Sequence, residues 1–141
     1  MDPNERPDLL EIDRESFRPE AHSDRFESVK TALSGLWFVL RTEQSFRLLL
    51  AYTVVILGAL IWLDVPVVGA ALVVFSVGVQ WVTECLNTAI EATVDLVTPE
   101  YHPMAKVAKD VASTAAFFSS LMSIIVSVMI MGPPLVARLS G

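Results

Sequence analysis

Three apolar runs, Leu48–Leu63, Val67–Val82 and Val111–Met131, constrain this 141-residue chain more than anything else in it. Runs of this character seek hydrocarbon, where no water satisfies a free backbone N–H or C=O, so each must close its own hydrogen bonds as a helix. Composition agrees: 53% of residues are hydrophobic and the mean hydropathy is +0.55, too greasy for a soluble domain of this length. The expected fold is an all-α membrane protein with three spans, at about 46–63, 66–83 and 111–131.

Residues 1–24 read differently. They hold eight acids against three arginines, a balance of −5 within a chain of net charge −6, and prolines at 3, 7 and 19 interrupt any apolar periodicity. Such a segment buries too little surface to offset the entropy of ordering, so a solvated acidic tail is expected ahead of a membrane domain at 25–141. Within residues 25–41, Phe26, Val29, Leu33, Leu36, Trp37 and Leu40 recur at helical spacing opposite Glu27, Lys30, Thr31 and Ser34, which predicts an amphipathic surface helix. Asp64 and Pro66 break the first span in a short turn that sends the second span back antiparallel. The helix of the second span is expected to continue to about Val97, Thr98–Lys109 to be a polar connection, and Pro133 and Pro134 to end the third span. Trp37, Trp62 and Trp81 read as interface anchors, and Cys85, the single cysteine, excludes an internal disulfide. Arg25, Lys30, Arg41 and Arg47 precede the first span and Lys106 and Lys109 the third, while the Asp64 turn has no basic residue. The positive-inside rule therefore places the N-terminus and the 98–109 segment in the cytoplasm.

Within and just beyond the second span, Glu84, Asn87, Glu91 and Asp95 recur every three or four positions. At about 100° per residue they share one narrow face of a helix. Charge at the edge of hydrocarbon is costly, so the stripe must face a partner helix, water, a metal or a substrate. Glu43 and Asp110 add hard oxygen donors near the same membrane face, and Lys106 and Lys109 add positive charge. Mg²⁺ takes carboxylates together with substrate phosphates, lysine is an effective point charge for phosphate, and a desolvated carboxylate is suited to taking a proton from an alcohol. These are the parts that phosphoryl transfer needs. No phosphate-binding glycine loop is present, so a nucleotide would be held by side chains and metal. The competing class is a non-enzymatic helix bundle or an ion-conducting assembly that uses the stripe for packing or permeation.

The string Glu84-Cys-Leu-Asn87-Thr-Ala-Ile-Glu91-Ala-Thr-Val-Asp95, followed by Glu100-Tyr-His102-Pro and Ala105-Lys-Val-Ala-Lys109-Asp110, resembles the signature of the bacterial integral-membrane diacylglycerol kinase and undecaprenol kinase family. Arg25-Phe26, Ala32-x-x-Gly35, Thr42-Glu43-x-x-Phe46-Arg47 and Trp62-Leu63-Asp64-Val65 extend the likeness over residues 25–131. The resemblance implies a homotrimer of three-span subunits in the bacterial inner membrane, with active sites shared between subunits and MgATP donating its γ-phosphoryl group to a lipid hydroxyl. No nucleic-acid partner is expected. By the same resemblance Glu84 is the catalytic base and Asn87 belongs to the catalytic motif, Glu43 and Glu91 hold Mg²⁺, and Asp95, Lys109 and Asp110 belong to the nucleotide site. Leu49 departs from the pattern, since the family commonly carries glutamate or histidine there. Asn87-Thr-Ala-Ile-Glu91 and the His102–Ala112 string lean to the undecaprenol branch, whereas Trp62-Leu-Asp-Val is closer to the diacylglycerol branch.

Overall fold

The computed structural model describes residues 25–98 and 100–141, and the acidic tail expected at 1–24 lies outside them. All the regular structure described is helical: α1 (Arg25–Thr42), α2 (Gln44–Trp62), α3 (Val67–Val97) and α4 (Pro103–Ser140). The chain divides into two units, Met1–Thr42 and Glu43–Gly141. In the first, α1 is the amphipathic helix read from the sequence. Glu27 stands in its first turn and Arg41 in its last, each favourable to the helix dipole, and Arg41 stacks over the Trp37 ring at 5.4 Å.

In the second unit, α2, α3 and α4 are long and apolar enough to cross a membrane. Their order follows from which side chains meet. Thr53 meets Trp81 and Leu60 packs with Val73, so α3 returns antiparallel to α2. Gln80 meets Ser120, Thr83 meets Ser119 and Asp95 meets Lys109, so α4 returns antiparallel to α3. Tyr52 with Ser123 and Ser127, and Trp62 with Arg138, set α4 parallel to α2.

The α2–α3 turn is a Schellman closure. Val65 N–H bonds the Leu60 carbonyl (3.2 Å) and Asp64 N–H the Ile61 carbonyl (3.2 Å), with Asp64 in the left-handed region at φ 51°. Aspartate is one of the few non-glycine residues that visits this region readily. Val65 packs on the cluster formed by Leu60, Leu63, Val73 and Met131, which supplies the apolar contact that accompanies the motif. Gly69 permits the close approach of α4: a Cβ there would lie 2.9 Å from Ile130 Cγ2.

Two boundaries differ from the sequence reading. The helix of α4 begins at Pro103, inside the stretch expected to be a polar connection, because proline suits the first helical position and His102 caps the end, its Nδ1 accepting from Met104 N–H at 3.2 Å. It then runs through Pro133 and Pro134 to Ser140. Gly132 has no Cβ to clash with the Pro133 ring, which eases helical backbone before proline, and the continued helix carries Arg138 to the far turn. Trp81 also departs from the interface role expected of it: it is partly buried, donates to Thr53 Oγ1 (2.9 Å) and meets Phe46 edge-on at 5.9 Å.

Candidate functional site

Helix length positions the stripe. At 1.5 Å per residue the 31 residues of α3 extend about 46 Å, against roughly 30 Å of hydrocarbon. Counted from the Asp64 turn, about 20 residues fill the bilayer, so Glu84 stands at the hydrocarbon edge while Asn87, Glu91 and Asp95 project beyond it. One uninterrupted helix thus brings apolar surface to lipid and carboxylates to water.

Glu84 is partly buried and lines a cavity of about 270 Å³ with Ser45, Leu49, Tyr52, Gln80 and Ser120. Leu49 is 4% exposed and adds an apolar wall to this cavity. One turn along α3, Asn87 Nδ2 donates to Glu91 Oε1 (3.2 Å), tying two stripe members together. The Asn87 carbonyl oxygen is buried and has no partner among the described residues, and the same holds for Gln80 Oε1. An unmatched buried acceptor costs about 1–3 kcal/mol, so two on one helix face leave that face able to take further donors.

Where α3 ends and α4 begins, Asp95, Glu100, His102, Lys106 and Lys109 border a second cavity of about 420 Å³. Lys109 Nζ bridges the helices to Asp95 Oδ1 at 2.5 Å, while Lys106 pairs with Asp110 one turn along α4. The Lys106–Asp110 pair is well exposed and Lys109 partly so, which means that both pairs add little stability and remain within reach of solvent.

Glu43 caps the N-terminus of α2 with an extended backbone (φ −102°, ψ 125°) and makes no capping hydrogen bond with its side chain. No group of three or more His, Cys, Asp or Glu side chains gathers into a metal-binding cluster among the described residues. The structure therefore joins Asn87 to Glu91 and Asp95 to Lys109 and places Glu84 in its own cavity. The donors available are hard oxygens, the type Mg²⁺ takes.

The cavity neighbours of Glu84, among them Tyr52, Gln80 and Ser120, were not anticipated from the sequence. Gln80 extends the stripe by one turn, and Ser119, Ser120, Ser123 and Ser127 recur at helical spacing in the third span, which was the available signal. Tyr52 bonds Ser123 (3.3 Å) and Ser127 (3.1 Å), a polar tie between α2 and α4 inside the apolar region.

Residues 30–131 match the protein family described as prokaryotic diacylglycerol kinase. The undecaprenol kinase of Bacillus subtilis is 34% identical over 110 residues, covering 78% of this chain and 89% of that protein. The diacylglycerol kinase of Pseudomonas aeruginosa is 41% identical over 86 residues (61% of this chain, 70% of the relative). That of Synechocystis is 31% identical over 111 residues (78% and 63%).

Proposed function

The chain belongs to the prokaryotic diacylglycerol kinase family, and from that premise we propose that it is a membrane lipid kinase that moves the γ-phosphoryl group of ATP to a lipid hydroxyl. The observation that carries the reading is the position of Glu84, a partly buried carboxylate facing a cavity at the height where a lipid's polar end meets water. Glu84 takes the proton of the lipid alcohol as its oxygen bonds to the γ-phosphorus and ADP leaves. Asn87 steadies Glu91 through its amide, and Asp95, Lys109 and Asp110 border the cavity that receives the nucleotide, where lysine offsets phosphate charge.

Mg²⁺ held by Glu43 and Glu91 would neutralise charge on the phosphates as they transfer. The absence of a complete carboxylate cluster among the described residues of one chain supports a homotrimer in which neighbouring copies complete each site. The distribution of lysine and arginine supports an inner-membrane protein with its N-terminus and active site on the cytoplasmic side. Undecaprenol is the acceptor we favour, supported by the length of the match to an undecaprenol kinase; diacylglycerol, named for other relatives, is the second reading.

The test is transfer of labelled phosphate from ATP with Mg²⁺, by purified protein in mixed micelles, to the two lipids in parallel. Faster labelling of undecaprenol is the expected result, faster labelling of diacylglycerol reverses the choice of acceptor, and labelling of neither removes the kinase reading.

A further inference from the structure

Gln80 lies one helical turn before Glu84, and both line the 270 Å³ cavity. Its carboxamide is held from one side. Nε2 donates to Ser120 Oγ at 3.0 Å, and Ser120 Oγ spends its own proton on the Ala116 carbonyl, also at 3.0 Å. A serine whose proton is committed can only accept, which sets the amide nitrogen against Ser120 and leaves Oε1 as the free end. Oε1 is buried and unpartnered among the described residues. The Tyr52 hydroxyl on the same wall is engaged with Ser123 and Ser127. Apart from the Glu84 carboxylate and the Ser45 hydroxyl, the cavity wall therefore holds one fixed acceptor with no partner among the described residues, and its complement is a ligand donor. A long-chain alcohol, whether polyprenol or glycerolipid, brings one donor to this depth, its hydroxyl proton.

We propose that Gln80 is a substrate-orienting residue that receives the lipid hydroxyl, an assignment that rests on the lipid-kinase reading. In the resting complex the O–H donates to Gln80 Oε1, which holds the alcohol oxygen one turn from Glu84. When phosphoryl transfer begins the O–H turns to Glu84, which takes the proton as the O–P bond forms and the bond to ADP breaks. Gln80 is chemically unchanged. Its contribution is to select lipids that carry a hydroxyl and to hold them at the working distance from the base.

The test pairs kinetics with binding. Gln80→Leu keeps the volume and removes the acceptor. It should raise the KM for the lipid about tenfold, the equivalent of one hydrogen bond, and leave the KM for ATP within about twofold. Thermal stabilisation of the purified protein is then compared for a long-chain alcohol and its methyl ether, which lacks the donor. Wild type should favour the alcohol, and Gln80→Leu should respond equally to both. Ser120→Ala, which frees the amide without removing it, should fall between, and it carries the test if Gln80→Leu does not fold. An unchanged lipid KM, or an equal rise for lipid and ATP, overturns the proposal. So does loss of assembly with alcohol preference intact, which would mean that a neighbouring copy satisfies Oε1. Failure of the kinase reading is separately visible, because wild type would then transfer no phosphate while the comparison of alcohol and ether still reports on Gln80.

Discussion

Where α2 turns into α3, the chain closes its own bonding around the turn, whereas towards the other end of the bundle the side-chain carbonyl of Asn87 stays open among the described residues. At the first end the Schellman turn closes the last carbonyls of α2, and Arg138 returns on α4 to donate to the Trp62 carbonyl, cover the Trp62 ring at 5.0 Å and stand 3.7 Å from Asp64. Leu60, Leu63, Val73 and Met131 fill the space beneath. At the second end the buried carbonyl of Asn87 has no partner among the described residues, Glu43 at the N-cap of α2 makes no side-chain capping bond, and the lysine pairs are partly or well exposed. The comparison separates scaffold from site within one bundle. Groups that finish their bonding inside the chain hold the helices in register, and in the proposed reading the groups left unfinished one helix length away are those that meet ligand or a second copy.

Substitutions at the two ends should therefore fail in different ways. Leu60→Ala opens a hole in the closed end and should lower stability by roughly 2–5 kcal/mol in a thermal or denaturant titration, with transfer per folded molecule preserved. Glu91→Ala should leave the melting temperature of the ligand-free protein near wild type but erase the shift given by MgATP, which at about 100 times Kd corresponds to roughly 2.7 kcal/mol. A retained shift would break the assignment of Glu91. Gly69→Ala forces a methyl against Ile130 and should cost about 1–3 kcal/mol, read as a lower melting temperature. Arg138→Ala loses an exposed ion pair, a stacking contact and the hydrogen bond to the Trp62 carbonyl, so a loss of about 1–2 kcal/mol is expected, with no change in the KM for either substrate. A large activity loss in Arg138→Ala would show that the closed end takes part in catalysis.

Much of this division was legible in residues alone. The apolar runs required helices, and the absence of any breaker between Val67 and Val97 carried α3 past the bilayer, so its carboxylates had to emerge on one face. The path of α4 was not legible. Two adjacent prolines ordinarily stop a helix, and only the tertiary position of Trp62 and Asp64 gives Arg138 something to reach. The start at Pro103 was hidden in a stretch whose polarity read as loop, although a proline after a capping histidine was the local signal. In the site, the periodicity of Glu84, Asn87, Glu91 and Asp95 was visible, but the pairing of Asp95 with Lys109 and of Gln80 with Ser120 depends on how α4 registers against α3. No pattern within a single helix contains that information.

The most direct test of the division is to measure phosphate transfer and melting temperature together for wild type and Glu84→Gln in the same micelles. Glu84→Gln should melt like wild type, still be stabilised by MgATP, and transfer phosphate to lipid about 10²–10⁴-fold more slowly. A folded Glu84→Gln protein with near-normal transfer would contradict that expectation, because the carboxylate at the hydrocarbon edge would then not be the base.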